Sequence, residues 1–107
     1  MTPMPMVIQQ YFQAVNQRDI TLLAASLSAD VQVQDEGETY QGIASVCAWQ
    51  QAAVARYQHY CHCVSWRQQQ AQWYVDAEVR GVFAGSPVTL TFVFTLVQQL
   101  IARVEIG

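Results

Sequence analysis

The chain has 107 residues, of which 52% are hydrophobic and 12% charged, and its formal net charge is −3. This length and hydrophobic content predict one domain, spanning residues 1–107, with a substantial core. The sequence has no lysine, and its five arginines are scattered singly and form no basic stripe. A nucleic acid is therefore not expected as a partner.

The N-terminal stretch and the cysteines indicate the compartment. Residues 1–6 include two prolines and no basic residue or long apolar run, unlike a signal peptide or a membrane span. Cys47, Cys61 and Cys63 are an odd and sparse set, which is atypical of a secreted disulfide scaffold. We therefore expect a cytoplasmic protein with reduced thiols and no membrane contact.

Two short helices are predicted first. Apolar residues recur at helical spacing from Met4 to Gln17, and Pro5 lies where the first helical turn tolerates a missing donor. Asp19 has the character of an N-cap for a second helix that ends near residues 28–30. The buried stripe of this second helix consists of Ile20, Leu23 and Leu27.

The strand predicted from Val31 to Asp35 carries the first candidate for chemistry. Because side chains alternate along a strand, Val31, Val33 and Asp35 share one face. Burial on that face disfavours the charged carboxylate and raises its pKa towards values useful for proton transfer. The alternative is a structural carboxylate that accepts hydrogen bonds from the amides of the following turn.

The remaining elements complete an α+β pattern. A turn around Gly37 leads to a short return strand, and Gly42 opens a third helix that runs to about Tyr57, with Trp49 or Gln50 at the edge of its buried face. An antiparallel meander is predicted after it, with strands at Tyr60 to Trp66, Gln72 to Phe83, Val88 to Val97 and Leu100 to Ile106. Helices followed by antiparallel strands predict helices gathered on one face of a curved sheet.

The strand from Val88 to Val97 carries no ionisable residue on either face. A strand face that meets water normally carries charge, so both faces are expected to be covered. Helices would cover one face, and a second copy of the chain would cover the outer one. We therefore expect a homodimer through the outer face of the sheet.

The order of the elements and two segments resemble a known family. The segments are Tyr11-Phe12-x-Ala14-Val15-Asn16-x-x-Asp19 and Asp30-Val31-x-Val33-x-Asp35-x-Gly37, followed by Gly42 and Trp49. The chain resembles the nuclear transport factor 2-like superfamily, in its SnoaL-like and ketosteroid-isomerase-like branch. The resemblance implies a cone, in which a bent, mostly antiparallel (mixed) sheet wraps three helices around an apolar pocket that binds a small apolar molecule.

The resemblance also implies roles for two residues. Tyr11 corresponds to the tyrosine that donates a hydrogen bond to a forming enolate, and Asp35 to the aspartate that carries the proton. Leu90 or a neighbour takes the place of the family's second acid, on a strand without ionisable residues. Because losing one such donor costs on the order of 100 to 1,000-fold in rate, this departure argues against steroid isomerase activity.

Further side chains are candidates for the pocket wall. Trp49, His62, Trp66 and Phe92 are the predicted ligand contacts. His62 would face the pocket if Tyr60, His62, Val64 and Trp66 formed the inner face of their strand, and the alternative is a partly exposed histidine. Other aromatic residues considered for the wall are Trp73, Phe83 and Phe94.

The segment His59-x-Cys61-x-Cys63 places three potential metal ligands on one strand face. Residues two apart on a strand are about 6.5 to 7 Å apart, which is long for neighbouring ligands of one zinc ion. Only scattered arginines are available to lower the pKa of these thiols, so a redox role is not favoured either. No metal and no cofactor are expected.

Two functions remain open. One is a cofactor-free isomerase, cyclase or hydratase of a small apolar compound, with Asp35 as base and Tyr11 as hydrogen-bond donor. The other is a non-catalytic dimer module that binds a hydrophobic ligand or a partner peptide. A structural dimer whose cone is filled by bulky side chains is a third interpretation.

Overall fold

The computed structural model describes residues 2–107, so that Met1 of the N-terminal stretch considered above lies outside it. Three helices are present in this range: α1 (Met6–Gln17), α2 (Ile20–Ser26) and α3 (Ile43–Tyr57). The strands are β1 (Leu27–Asp35), β2 (Glu38–Gln41), β3 (Tyr60–Gln69), β4 (Gln72–Arg80), β5 (Val88–Val97) and β6 (Leu100–Ile106). None of the helices in residues 2–107 is long and apolar enough to cross a membrane.

The strands form one six-stranded sheet in the order β2-β1-β6-β5-β4-β3. The meander from β3 to β6 is antiparallel throughout, as predicted. β1 pairs with β2 in antiparallel and with β6 in parallel orientation. The prediction of an α+β fold with a curved, mixed sheet is confirmed.

The core lies between the helices and one face of the sheet. The apolar stripe of α1 is buried there, with Tyr11 and Phe12 among its members. Tyr11 packs edge-to-face against Phe12 and Phe94, with ring centroids 5.2 and 5.3 Å apart. Burial of these aromatic faces holds α1 against the sheet, because large apolar side chains leave water there.

The helix boundaries correct two predictions. α1 begins at Met6, with Pro5 as its N-cap, and not at Met4. α2 ends at Ser26, and the prediction that it continues through Leu27 to residues 28–30 is wrong, because Leu27 already pairs with Ile101 of β6. The predicted N-cap is confirmed, since the side chain of Asp19 accepts a hydrogen bond from the backbone of the next helical turn.

A tight turn ends β1 at Asp35. Glu36 and Gly37 both have positive φ, 52° and 78°, and Asp35 pairs with Glu38 across the turn. In a two-residue hairpin, two central residues with positive φ match the right-handed twist of the flanking strands. Glycine adopts positive φ readily, which explains its presence at position 37. The turn therefore holds Asp35 at the end of β1, with its backbone fixed by the sheet.

β3 contains a bulge between Cys63 and Ser65 that changes which side chains face the core. Before it, Cys61 and Cys63 pair with the buried residues Val79 and Ala77, and after it Trp66 pairs with the buried Val75. An extra residue in one strand shifts its side-chain alternation by one position. Tyr60, His62 and Val64 are exposed, and the bulge brings only Trp66 to the inner face, which corrects the hypothesis that all four form it.

Candidate functional site

A cavity of about 370 Å³ lies between the helices and the inner face of the sheet. This volume falls in the lower part of the range for ligand pockets, which are mostly apolar with a few placed polar groups. The cone is therefore not filled by its own side chains. The lining residues are Tyr11, Val15, Asp35, Glu36, Trp49, Gln50, Ala53, Tyr57, His59, Cys61, Val79, Phe83, Ala84, Val88, Leu90, Phe92 and Ile106.

Asp35 reaches this cavity from the end of β1 and is half-buried. Burial raises the pKa of its carboxyl above the ordinary value, and the charge of Glu36 raises it further. The structural alternative for Asp35 was a carboxylate that accepts hydrogen bonds from the amides of the following turn. Within residues 2–107, those amides do not donate a hydrogen bond to it. A carboxylate without such bonds is a stronger proton acceptor, since hydrogen bonds to the charged form would lower its pKa.

Asp35 also borders a second, more open groove on the outer side, together with Glu36, Glu38 and Glu105. The carboxylate thus lies in the wall between the apolar cavity and an acidic groove.

Tyr11 enters the cavity from α1, and only 2% of its surface is exposed. Burial raises the pKa of its phenol, and the neighbouring Cys61 and Asp35 act in the same direction. The hydroxyl makes no hydrogen bond with the described residues, although the ring is held by its aromatic neighbours. A neutral, unpaired phenol in an apolar cavity is a ready donor to a ligand oxygen.

The structure brings four of the six sequence-predicted site residues together. Asp35, Tyr11, Trp49 and Phe92 all line the cavity, and Trp49 stacks on Tyr40 with ring centroids 5.5 Å apart.

The structure places the other two elsewhere. His62 is exposed on the outer face, because it alternates with Cys61 and Cys63, which face the core. Trp66 lies on the inner face beyond the cavity, where its indole Nε1 donates to the backbone oxygen of Thr2 at 3.0 Å. Of the other aromatic residues considered, Phe83 lines the cavity, whereas Trp73 and Phe94 belong to the core.

Two polar residues of the wall were not predicted as ligand contacts. Gln50 is 5% exposed on α3, and its Nε2 lies 3.5 Å from Nε2 of His59. The signal for Gln50 was its position four residues after the buried Val46, on the apolar stripe of α3. The signal for His59 was its alternation with Cys61, which also lines the cavity, although the segment was considered above only as a metal site.

The charges around the cavity disfavour an anionic ligand. The described wall includes two carboxylates, Asp35 and Glu36, and no arginine. Burial lowers the pKa of His59, as does the positive charge of Arg18, so that its imidazole is neutral at neutral pH. Burial also raises the pKa of the Cys61 thiol to about 12, which leaves it protonated and unreactive.

No family model and no curated protein matches the sequence, but solved structures match it over nearly its whole length. A provisionally named polyketide cyclase from Sinorhizobium meliloti has a TM-score of 0.95 and 34% identity, covering 97% of this chain and 95% of that one. A provisionally named ketosteroid isomerase from Kribbella flavida has a TM-score of 0.82 and 17% identity, over 95% and 74%. A further provisionally named polyketide cyclase, from Xanthomonas campestris, has a TM-score of 0.82 and 20% identity, over 94% and 85%. The last two show a shared fold alone, whereas the first is similar enough to establish the family.

Proposed function

Because this chain belongs to the nuclear transport factor 2-like superfamily, in its SnoaL-like and ketosteroid-isomerase-like branch, we propose that it catalyses proton transfer beside a carbonyl group. The substrate is a small, uncharged, mainly apolar compound. The reaction is an isomerisation or a ring closure, and the polyketide cyclase name of the Sinorhizobium meliloti protein supports the second.

One observation carries the proposal: a carboxylate and a phenol, both with raised pKa, face the same apolar cavity. General bases work best when their pKa approaches the ambient pH, and burial moves Asp35 in that direction. The phenol donates best when neutral, and burial of Tyr11 keeps it so. The two groups thus suit the roles of base and donor.

In the proposed step, the Asp35 carboxylate takes a proton from the carbon next to the carbonyl. The electron pair of the broken C–H bond moves into the carbonyl group and forms an enolate, whose oxygen accepts a hydrogen bond from the Tyr11 hydroxyl. In an isomerisation, Asp35 returns the proton to another carbon of the same compound. In a ring closure, the enolate carbon forms a bond to a second carbonyl carbon, whose oxygen receives the proton.

A second candidate function is binding without reaction. Leu90 of β5 lines the cavity, and no residue of this strand can supply a second acidic donor. A single phenol would stabilise an enolate less well than two donors, by roughly 100 to 1,000-fold in rate. This apolar wall supports a binding protein as the alternative.

Hydrogen exchange on a bound compound separates the two functions. Native mass spectrometry of the purified protein identifies a co-purifying compound, which is then incubated in D₂O with the protein. The wild type should incorporate deuterium beside the carbonyl, and Asp35→Asn should lower the rate by about 10² to 10⁴-fold while retaining the compound. Glu36→Gln, which removes the neighbouring carboxylate, is the matched control and should retain exchange.

Exchange that does not exceed the rate in buffer, or that survives in Asp35→Asn, would exclude proton transfer by Asp35. If no compound co-purifies, the same assay is run with small aromatic ketones. Deuterium exchange that does not exceed the rate in buffer would again exclude proton transfer by Asp35. A retained but unreacted compound would favour the binding function.

The homodimer through the outer sheet face stays part of the proposal. The centre of that face is made of the outward residues of β5, and the nearby charges are already paired. The Asp76 carboxylate accepts from Ser65, Arg67 and Thr91, at 2.9, 3.2 and 2.7 Å. Charged groups that already pair with neighbours on the same face lower the desolvation cost of burying that face in a dimer. Analytical ultracentrifugation at micromolar concentration should give a dimer, and Val93→Glu, at the middle of β5, should give a monomer.

The three cysteines, which are all free, support the cytoplasm as the compartment.

A further inference from the structure

Two carboxylates of the cavity wall lack a positively charged partner. Asp35 and Glu36 both line the cavity, and neither forms an ion pair within residues 2–107. Asp35 is half-buried, so its carboxylate has lost part of its hydration, and a buried charge is costly unless it is paired. This end of the cavity is therefore complementary to a positive charge that comes from outside the described chain.

The arginines of the chain are engaged elsewhere. The sequence has five arginines and no lysine. Three of the arginines pair with acidic residues outside the cavity: Arg67 with Asp76, Arg80 with Glu78 and Arg103 with Glu105. The guanidinium groups of Arg18 and Arg56 lie over tyrosine rings, 4.2 Å from the ring centre of Tyr60 and 5.2 Å from that of Tyr57. None of the five, which all lie in the described range, lines the cavity, so a ligand has no internal ion pair to displace at Asp35.

Aromatic rings lie near these carboxylates. The rings that line the cavity are those of Tyr11, Trp49, Tyr57, Phe83 and Phe92. Trp49 stacks on Tyr40, and Tyr40 pairs with Val33, two residues before Asp35 on the same face of β1. Two residues along a strand span about 7 Å, so the indole lies near the Asp35 carboxylate. Because the face of an aromatic ring attracts a cation within about 6 Å, the wall combines negative charge with surfaces that bind a cation.

Gln50 adds an unpaired acceptor to the same wall. Only 5% of its surface is exposed, and its Nε2 is turned towards His59, which leaves its Oε1 for another partner. No residue of the described chain donates to this oxygen, which is nevertheless not sealed from water. A buried amide oxygen is seldom left without a donor. Since ionised Asp35 and Glu36 also only accept hydrogen bonds, these unpaired groups of the wall favour a ligand that carries donors.

A primary ammonium group fits the wall in each of these respects. It is positively charged and carries three donors and no acceptor, whereas an anion would be repelled by the two carboxylates. We propose that the cavity binds organic ammonium ions with an apolar body, with the nitrogen paired to Asp35 and the body against the aromatic rings. Such an ion occupies the proposed base and therefore inhibits proton transfer. The inhibition rests on the proposed function, but the binding of the ion does not require any reaction.

Two compounds of the same shape and different charge test the inference. The probes are 2-phenylethylamine, which is an ammonium ion at neutral pH, and 2-phenylethanol, which has the same carbon skeleton without the charge. Their affinities are measured by NMR titration at neutral pH. The wild type should bind the amine about 10-fold more tightly, which is the gain expected from a hydrogen bond to a charged group. Asp35→Asn keeps the size of the side chain and removes its charge, so it should remove most of this preference with little change in the affinity for the alcohol.

The matched control lies in the same hairpin. Glu38 pairs with Asp35 across the turn but does not line the cavity. Glu38→Gln removes the same unit of charge and should retain the preference, which separates pairing inside the cavity from attraction by the net charge of the chain. With ¹³C-labelled aspartate, the amine should shift the side-chain carboxyl signal of Asp35 and not that of Asp30, which is exposed on β1.

Four results would overturn the proposed binding: equal affinities of the wild type for both compounds, a preference that persists in Asp35→Asn, a preference that Glu38→Gln removes equally well, or no binding of either compound at millimolar concentration. If Asp35→Asn is unfolded by circular dichroism, the ¹³C shifts in the wild type decide instead.

The inhibition is tested in the deuterium-exchange assay. Saturating 2-phenylethylamine should abolish exchange in the wild type, and exchange that continues at saturation would refute the inhibition. A preference for the amine without any exchange activity would sustain the binding of the ion and refute the proton-transfer function. Exchange activity without such a preference would do the reverse.

Discussion

Replacing Tyr11 with phenylalanine separates a catalytic hydroxyl from a structural one. The substitution keeps the ring, whose contacts with Phe12 and Phe94 are each worth about 0.5 to 1.5 kcal/mol beyond burial. It removes only a hydroxyl that has no hydrogen-bond partner among the described residues. The free energy of unfolding should therefore change by less than about 1 kcal/mol in either direction, because no protein hydrogen bond is lost.

The rate should respond quite differently. If the hydroxyl stabilises an enolate, Tyr11→Phe should lower deuterium exchange by on the order of 100 to 1,000-fold, as the loss of a preorganised donor does. Urea unfolding measures the stability, and mass spectrometry of the bound compound in D₂O measures the rate.

A matched control exists on the outer face of the sheet. The hydroxyl of Tyr74 donates to Gln72 Oε1 at 3.4 Å, outside the cavity, so Tyr74→Phe should leave exchange unchanged. A loss of more than about 2 kcal/mol in Tyr11→Phe would reveal a structural hydrogen bond. Unchanged exchange would refute the role of the phenol.

Three further substitutions test the site and its supports. Because folding raises the pKa of Asp35, its ionisation costs stability, so Asp35→Asn should be more stable than the wild type at neutral pH. The two should converge in urea titrations at acid pH, below the ordinary aspartate pKa, and a constant difference would contradict the raised pKa. Asn16→Ala loses two 2.8 Å hydrogen bonds to the backbone of Cys61. The free energy of unfolding in urea should fall by about 1 to 3 kcal/mol. An unchanged urea midpoint would show that α1 needs no such anchor. Gly81→Ala would place a methyl group 2.6 Å from the backbone oxygen of Tyr57, so the loop at the cavity must shift. This shift should destabilise the protein by about 1 to 3 kcal/mol and lower the melting temperature measured by calorimetry. An unchanged melting temperature would mean that the loop moves freely.

Local sequence signals predicted the elements and part of the site. Asp19 and Gly37 act within one turn of their own position, so the cap of α2 and the hairpin after β1 could be predicted from neighbouring residues alone. The alternation in β1 likewise predicted that Asp35 faces the core side. Tyr11 could be recognised both from the helical period and from the family resemblance.

Partners distant in the sequence decided the rest. α2 stops at Ser26 because Leu27 finds a partner in β6, more than seventy residues later. The bulge in β3 turns Trp66 inwards although His62 faces outwards, and the local sequence does not show where such a one-residue change of phase occurs. The pattern of that segment fitted either phase equally well.

The sequence by itself determined the order of the helices and strands, the family and the two residues proposed for proton transfer, because each depends on short-range periodicity or on a local motif. Only the tertiary structure decided that the cone is hollow and that Gln50 and His59 meet in its wall. The physical reason is that a cavity is what remains after all the elements have packed. Its volume and its unpaired polar atoms depend on the curvature of the sheet and on contacts between segments that no local pattern records.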